Sequence, residues 1–280
     1  MVIMAGVMRD GDKPLPVDPI ELIAIDLDGT MLRSDGSIGA RTIEAVGEAG
    51  RRGIKVVIAT ARPPRSVLKY YEQLHLDTWQ INHNGALIYD QLNSKPVAHK
   101  PIDAAIARQT VETARRLAPQ IPIGVEVVNT LYTDDGQGDS DASYAGVTTA
   151  TGSLDEALSR PVSKVFMLGE PDELSHIQSQ LHQQFHGRIS FATSHLKLLQ
   201  IVCGGVDKGA ALAGLAKHYG VSQRGVMAVG DAPNDLGMLK WAGLSVAVQN
   251  AWPDVRRAAH FVVGPNNDDG VADAIGKYAF

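Results

Sequence analysis

Three short apolar runs, each followed directly by polar residues, constrain the fold of this 280-residue chain more than any other feature. In chain order they are residues 22–25 before Asp26 and Asp28, residues 56–59 before Thr60, and residues 226–229 before Gly230 and Asp231. Such runs, bounded by turn-forming residues, are typical of strands that are buried on both faces of a parallel sheet. Helical patterns separate the runs, so we predict an α/β fold with a doubly wound parallel sheet.

The polar residues that follow these runs are predicted to share one site. In a doubly wound sheet, ligands bind in the crevice beyond the carboxyl ends of the parallel strands. Asp26, Asp28, Thr60 and Asp231 all follow predicted strands directly or within a few residues. A single crevice that contains carboxylates and a hydroxyl is therefore the simplest interpretation.

The middle of the chain has a different pattern and is predicted to form a second domain. Residues 102–117 have helical spacing, residues 125–133 are typical of a β-hairpin, and residues 165–168 are typical of a further strand. These elements indicate an α+β domain inserted into the α/β core. The predicted division is 1–19 for a flexible N-terminal extension, 20–85 and 196–280 for the core, and 86–195 for the inserted domain.

The composition argues against several classes of partner. The formal net charge is −5, the pI is near 6.0 and the arginine pairs are isolated, so neither nucleic acid nor an anionic membrane is an expected partner. No apolar run approaches the roughly 20 residues that span a membrane. Cys203 is the only cysteine, so an intrachain disulfide is impossible and a reducing, cytoplasmic location is expected.

Asp26 and Asp28 are candidates for a metal site. Residues two apart in an extended chain point to the same side, so both carboxylates would face the crevice. A hard divalent cation prefers such oxygen ligands, and Gly29 permits a sharp turn directly after them. A polar turn next to a helix cap would also explain this short segment.

Asp231 and Asp235 form a second acidic pair near another strand end. Asp235 precedes a helical pattern, so it could instead cap that helix or offset the helix dipole. A shared cation explains two such pairs better than capping does, because clustered carboxylates repel one another unless a cation neutralises them. Magnesium is the natural candidate, since it binds a few carboxylates together with water and substrate phosphate.

Thr60 and Lys208 add a hydroxyl and an ammonium group to the expected crevice. Each has a simpler interpretation when taken alone, Thr60 as a helix cap and Lys208 as a solvated charge at the start of a helical segment. In combination with a metal site, both groups suit a phosphoryl ligand.

The order and type of these residues resemble the four motifs of the haloacid dehalogenase superfamily. The matching segments are Asp26-Leu27-Asp28-Gly29-Thr30, Thr60, Lys208, and Gly230-Asp231 with Asn234-Asp235. Asn84-Gly85-Ala86 and Val206-Asp207-Lys208-Gly209 further resemble the Cof-type branch, small-molecule phosphatases that carry a large α+β cap of the C2B type. The resemblance covers residues 21–278, although Ala61 stands where relatives usually have glycine.

The resemblance implies a role for each matching residue. Asp26 would be the nucleophile that forms an aspartyl-phosphate, Asp28 would act as general acid and base, and Thr60 and Lys208 would complete the catalytic set. Mg²⁺ would be held by Asp26, the main-chain carbonyl of Asp28, Asp231 and Asp235. The phosphoryl oxygens would be bound by Thr60, the Ala61 amide, Lys208 and Asn234.

The predicted activity is Mg²⁺-dependent hydrolysis of a small phosphomonoester, such as a sugar phosphate or a similar metabolite. The expected enzyme class is phosphoric monoester hydrolase, and the expected partner is a small phosphorylated metabolite. A phosphomutase that uses the same aspartyl-phosphate is one alternative. A non-catalytic protein that binds phosphorylated metabolites is another, although such a protein would be expected to lose at least one catalytic group.

Overall fold

The computed structural model describes residues 18–133 and 153–280, so nearly all of the predicted extension at residues 1–19 lies outside the described residues. The strands are, in chain order, β1 (Leu22–Ile25), β2 (Lys55–Ile58), β3 (Gln80–Asn82), β4 (Leu87–Asp90), β5 (Lys95–His99), β6 (Ile123–Val127), β7 (Thr130–Thr133), β8 (Lys164–Leu168), β9 (Ile189–His195), β10 (Leu198–Cys203), β11 (Val226–Gly230), β12 (Leu244–Val248) and β13 (Phe261–Val263). The α-helices are α1 (Ala40–Arg51), α2 (Pro64–Gln73), α3 (Ala104–Leu117), α4 (Leu154–Ala157), α5 (Pro171–Phe185), α6 (Lys208–Tyr219), α7 (Leu236–Trp241), α8 (Pro253–Ala258) and α9 (Gly270–Tyr278). Short 3₁₀ turns lie at His83–Gly85, Gln223–Gly225, Pro233–Asp235 and Asn266–Asp268.

Five strands form a parallel sheet with the order β13-β12-β11-β1-β2. β1 lies between β11 and β2, and its residue Ala24 is paired with Ala228 on one side and Val57 on the other. Both faces of the sheet are packed, because neighbouring residues of β1 such as Ile23 and Ala24 belong to two separate apolar clusters. The predicted α/β fold with a parallel central sheet is confirmed.

Helix α6 shows how local sequence signals position a predicted site residue. Its N-cap is Asp207, whose side chain accepts a hydrogen bond from the Ala210 amide at 2.8 Å. The helix ends before Gly220, which adopts the left-handed conformation that favours glycine. Lys208 is therefore the first helical residue. Among the helices that the structure describes, none has both the length and the apolar character needed to cross a membrane.

The inserted domain contains an antiparallel sheet with the order β7-β6-β8-β10-β9. Successive residues of a strand point to opposite faces of its sheet. On β8, Val165 and Met167 are buried in a cluster with apolar residues of α3 and α5. Lys164 and Phe166 lie on the other face, and this face contacts the core, because Lys164 Nζ donates to the Ala61 carbonyl oxygen.

The strand pairing differs from the predicted division of the chain. The predicted junction after residue 195 falls between β9 and β10, yet these strands are paired, so β10 belongs to the sheet of the inserted domain. Near the first junction, β4 and β5 form a small sheet with β3, and a bridge between Ala59 and Ile81 joins that sheet to the core. We propose junctions after β5 and after β10. These proposed junctions differ from the predicted ones because apolar patterns do not reveal which strands pair.

Candidate active site

Carboxylates meet at the carboxyl ends of two neighbouring strands. Asp26 follows β1 and Asp231 follows β11, and the Asp26 amide continues the strand pairing by donating to the Val229 carbonyl oxygen at 3.0 Å. Asp235 approaches from the turn that precedes α7. All three aspartates are buried, and one oxygen from each lies within 4.8 Å of the other two. The structure thus brings both predicted acidic pairs to one edge of the sheet.

Lys208 lies between two of these carboxylates. Its Nζ donates to Asp26 Oδ1 at 2.5 Å and to Asp235 Oδ1 at 2.6 Å, and its side chain is fully buried. Burial alone disfavours the ammonium form, but the charges of Asp235 and Asp26 outweigh burial and raise the pKa of Lys208 above its ordinary value. Lys208 is therefore a fixed positive charge beside Asp26.

Both oxygens of the Asp235 carboxylate are engaged within the protein. Oδ1 accepts from Lys208, and Oδ2 accepts from the main-chain amides of Asp231 and Ala232 at 2.9 and 3.0 Å. These bonds fix the turn that carries Asp231. Asp235 thus orients its neighbours, and its oxygens are less available to a cation than those of Asp26.

Burial makes the carboxylate cluster costly to ionise when no cation is bound. It raises the pKa of Asp26 well above its ordinary value, an effect that Lys208 opposes and the neighbouring carboxylates reinforce. Burial, and then the charge of Asp235, raises the pKa of Asp231 to about 7. The Thr30 hydroxyl, which donates to Asp231 Oδ1 at 2.6 Å, opposes that rise. A cation held by these groups would remove the penalty.

The geometry around Asp26 and Asp231 suits a hard divalent cation. Their side-chain hydrogen bonds from Lys208 and Thr30 use Oδ1 in each case, which leaves Oδ2 of both carboxylates for another ligand. Gly29 makes the close approach possible, since its φ is +79° and a Cβ there would lie 2.6 Å from Asp231 Oδ2. Carboxylate oxygens grouped in this way are the ligands that such a cation prefers.

Asp28 pairs with Arg62 and takes no part in the buried cluster. Arg62 donates from Nε to Asp28 Oδ2 at 2.8 Å and from Nη2 to Asp28 Oδ1 at 2.5 Å. The Asp28 side chain is half exposed, whereas that of Arg62 is buried. Sequence reasoning assigned no role to Arg62. The available signal was its position two residues after Thr60, at the end of a predicted strand.

The loop after β2 is fixed around Thr60. Thr60 is fully buried, its amide donates to the Ile81 carbonyl oxygen at 2.8 Å, and its own carbonyl oxygen accepts from the Asn84 amide at 3.1 Å. Its hydroxyl accepts from the Arg62 amide at 3.1 Å. The Thr60 side chain thus supports the loop from behind, while Ala61 lines the adjoining cavity.

The predicted residues surround one end of a cavity of about 660 Å³ between the core and the inserted domain. Five of them line it directly, namely Asp26, Asp28, Ala61, Asp231 and Asn234. Lys208, Asp235 and Thr60 are fully buried behind this surface. The structure therefore brings every predicted site residue to one place, either on the cavity wall or directly behind it.

Sequence reasoning missed the residues of the inserted domain that form the opposite wall. They come from β8, β9, β10 and the adjacent turns, and include Phe166, Leu168, Ser194, His195, Lys197 and Leu198. No local motif connects segments so far apart in the sequence. The alternation of Lys164, Phe166 and Leu168 with buried apolar residues on β8 was the one usable signal.

Comparison with known proteins agrees with this geometry. The family model described as haloacid dehalogenase-like hydrolase matches residues 23–275. A protein of Streptococcus pyogenes serotype M6, provisionally named a phosphatase, is 31% identical over 264 residues, which cover 92% of this chain and 98% of that protein. The 5-amino-6-(5-phospho-D-ribitylamino)uracil phosphatase YitU of Bacillus subtilis is 29% identical over 262 residues, which cover 92% of this chain and 97% of that protein.

A solved structure has the same fold. The haloacid dehalogenase-like hydrolase from Bacteroides thetaiotaomicron is 27% identical, with a TM-score of 0.80 over 92% of this chain and 99% of that chain. A match of this extent includes both the parallel sheet and the inserted domain. The chain therefore belongs to the haloacid dehalogenase-like hydrolase family and, within it, to the Cof-type phosphatases that its motifs predicted.

Proposed function

We propose that the protein is a Mg²⁺-dependent phosphatase that hydrolyses a small phosphomonoester through an aspartyl-phosphate formed on Asp26. The observation that carries this proposal is the position of Asp26, which lines the cavity while Lys208 holds its Oδ1. A buried carboxylate that lines a cavity and has one oxygen fixed by a lysine suits nucleophilic attack on phosphorus.

In the first step, a carboxylate oxygen of Asp26 forms a bond to phosphorus as the bond to the ester oxygen breaks. The leaving oxygen takes a proton from Asp28, which lines the same cavity. Lys208 favours the ionised form of Asp26 that attacks, and a bound cation would favour it further. Mg²⁺, held by Asp26, Asp231 and the main-chain carbonyl of Asp28, would neutralise charge on the phosphoryl group when bound.

In the second step, Asp28 accepts a proton from the water that attacks the aspartyl-phosphate, and inorganic phosphate is released. The two bonds from Arg62 hold the Asp28 carboxylate in one orientation at the cavity wall. This ionised pair is the form of Asp28 that can accept a proton from water, and at least one bond from Arg62 must open before Asp28 carries the proton used in the first step. Arg62 would thus act through Asp28 as a positioning residue.

The phosphoryl oxygens would be bound by groups on the core wall of the cavity. Ala61 and Asn234 line this wall, and the fully buried Lys208 and Thr60 lie behind it. Amide and ammonium donors stabilise a transferring phosphoryl group, because the charge is spread over its equatorial oxygens.

The size of the cavity limits the substrate to a small molecule, since a volume of about 660 Å³ is typical of sites for metabolites. The relative from Bacillus subtilis is named for a phosphorylated ribitylaminouracil. We therefore infer a phosphorylated metabolite as substrate, a class that includes sugar phosphates and phosphorylated nucleoside-like compounds.

The proposal is tested with Asp26→Asn and the matched surface variant Asp172→Asn, assayed on an aryl phosphate with Mg²⁺. Loss of the nucleophile is expected to lower kcat by about 10⁴-fold or more, whereas Asp172→Asn keeps the activity of the unmodified protein. Chelation is expected to abolish activity, and Mg²⁺ to restore it. Undiminished hydrolysis by Asp26→Asn would rule out the nucleophile, and transfer without release of inorganic phosphate would indicate a mutase.

The role of Asp28 is tested with two substrates that differ in their leaving group. An aryl oxyanion leaves without a proton, whereas an alkoxide needs one. In single-turnover measurements, Asp28→Asn is therefore expected to slow the release of an alcohol far more than the release of a phenol. An equal loss with both substrates contradicts the assignment of Asp28 as general acid.

A further inference from the structure

A buried lysine of the inserted domain reaches into the core. Lys164 lies on β8 and is fully buried. Its Nζ donates to the main-chain carbonyl oxygen of Ala61 at 2.9 Å and to Gln200 Oε1, on the neighbouring strand β10, at 3.2 Å. One side chain of the inserted domain therefore contacts the loop that follows β2.

The hydrogen bonds continue from Gln200 to a second group on the core wall. Asn84 Nδ2 donates to Gln200 Oε1 at 3.2 Å, and Asn234 Nδ2 donates to Asn84 Oδ1 at 2.9 Å. Gln200 is fully buried and Asn84 nearly so. The series thus begins at Ala61 and ends at Asn234, the two core residues that line the proposed phosphoryl site.

The bond to Ala61 fixes the orientation of one peptide group. Lys164 holds the carbonyl oxygen of the Ala61–Arg62 peptide, and the Thr60 hydroxyl accepts from its N–H at 3.1 Å. With both ends held, that peptide cannot rotate without breaking a buried hydrogen bond. The preceding peptide, which carries the Ala61 N–H, is fixed at its other end because the Thr60 carbonyl oxygen accepts from the Asn84 amide at 3.1 Å.

The rest of the interface shows that domain docking does not depend on Lys164 alone. Arg65 of α2 forms a bidentate ion pair with the buried Glu126 of β6, with both distances 2.8 Å. The Arg65 amide also donates to Asn129 Oδ1 at 2.7 Å, and His83 Nε2 lies 2.7 Å from the Val128 carbonyl oxygen. These contacts hold the β6–β7 turn on the core and include no residue of the cavity wall.

We propose that Lys164 is a positioning residue of the phosphoryl site, and that Gln200 and Asn84 extend its effect to Asn234. This inference rests on the proposed function, because it concerns the groups that would bind the phosphoryl oxygens. The core alone then supplies the nucleophile and the cation ligands, but the phosphoryl site is complete only when the inserted domain is docked. Lys164 touches no reacting atom and acts through the Ala61 peptide.

The test compares Lys164→Met and Gln200→Met with Lys100→Met, the same loss of an ammonium at an exposed position directly after β5. The probe is inorganic phosphate, whose inhibition constant reports on the phosphoryl site without a leaving group. Both interface variants are expected to raise that constant and lower kcat, each by about 10- to 100-fold. Lys100→Met is expected to change neither quantity.

A conservative substitution separates positioning from a general loss of structure. Gln200→Glu keeps an acceptor oxygen for Lys164 and for Asn84, so it is expected to retain most of the affinity for inorganic phosphate that Gln200→Met loses. If Lys164→Met does not fold, the contrast between Gln200→Glu and Gln200→Met still gives a result.

Two outcomes would overturn the inference while leaving the proposed function intact. One is an unchanged inhibition constant in folded Lys164→Met and Gln200→Met enzymes. The other is an equal loss in Gln200→Glu and Gln200→Met, which would indicate a packing defect. Failure of the unmodified protein to hydrolyse phosphomonoesters or to bind inorganic phosphate would instead refute the proposed function, and this inference with it.

Discussion

The core wall and the inserted-domain wall of the cavity are both built on sheets, but the two sheets present their side chains differently. The parallel sheet is covered on both faces, so only residues beyond its strand ends, such as Asp26 and Asp231, reach the cavity. The antiparallel sheet packs one face on helices and presents the other, with Phe166 and Leu168, to the cavity. Strand ends concentrate functional residues into short motifs, whereas a sheet face spreads them over several strands.

The two walls also differ in how their charges are held. On the core side, Lys208 and Asp235 form an ion pair in which both side chains are fully buried. On the rim of the inserted domain, Glu170 and Lys197 form a pair at 2.7 Å in which both side chains are mostly exposed. Breaking a buried ion pair costs much folding free energy, whereas an exposed pair contributes little to it. Substitutions in the two walls should therefore change stability by very different amounts.

The largest effect is expected for Asp235→Ala. This substitution leaves Lys208 with one carboxylate and leaves the amides of Asp231 and Ala232 without their acceptor. Breaking a buried pair from one side typically costs about 3–5 kcal/mol of folding free energy. Urea denaturation measures the loss, and phosphatase assays should show little activity. A cost below 1 kcal/mol would mean that the pair contributes no more than a surface pair.

The second prediction compares Gly85→Ala with Gly53→Ala, two positions with positive φ. At Gly85, φ is +101° and a new Cβ would lie 2.3 Å from the Asp207 carbonyl oxygen. At Gly53, φ is +81° and a new Cβ would have no atom of the described residues within 4 Å apart from those of its chain neighbours. Backbone strain alone costs about 1–2 kcal/mol, so Gly53→Ala measures that part. Gly85→Ala should cost about 1–3 kcal/mol more and reduce kcat, because Asp207 caps the helix that carries Lys208. Equal costs would show that the contact with Asp207 relaxes freely.

The third prediction concerns Mg²⁺ and pH. Because the pKa of Asp231 is raised to about 7 without a cation, ionising this group lowers the stability of the cation-free protein as pH rises from about 4 to 7. Mg²⁺ binds the ionised form, so its affinity should be about tenfold weaker at pH 6 than at pH 8. Thermal denaturation with and without Mg²⁺ measures this as a larger increase in Tm at pH 8. An increase in Tm that is independent of pH would exclude Asp231 as the titrating ligand.

The smallest effect is expected at the rim of the inserted domain. Glu170→Gln removes the exposed pair with Lys197 and should change the free energy of unfolding by less than about 1 kcal/mol. The inhibition constant for inorganic phosphate should stay unchanged, because neither residue of this pair belongs to the hydrogen-bonded series that runs from Ala61 to Asn234. Only KM for substrates with large leaving groups is expected to change. A loss comparable to that of Asp235→Ala would contradict the difference between the two walls.

The core could be predicted from the sequence because its signals are local. A buried parallel strand needs an unbroken apolar run, and the residue that ends the run must lie at the sheet edge, so Asp26 and Asp231 were found directly. The structure showed that the four aspartates of the site have different hydrogen-bond partners. Asp235 is engaged on both oxygens and Asp28 is held by Arg62, and each of these facts depends on residues distant in sequence.

The sequence predicted the inserted domain and its elements, but not the residues with which this domain lines the cavity. Its helices and its β6–β7 hairpin follow from local patterns, and they agree with α3, α5, β6 and β7. The predicted division placed residues 198–203 in the core, whereas β10 pairs with β9, because an apolar strand can pair in either sheet. The role proposed for Lys164 could not be read from the sequence at all, since a lysine on a strand is ordinarily solvated.

The sequence by itself determined the parallel sheet, the order of the four motifs and the family, because each depends on short segments whose chemistry and spacing are local. It also predicted Asp26 as the nucleophile and Asp28 as its acid and base. Only the tertiary structure decided which groups face these residues. The bonds from Lys208, Arg62 and Lys164 join segments far apart in the chain, and only the docking of two sheets brings them to one cavity.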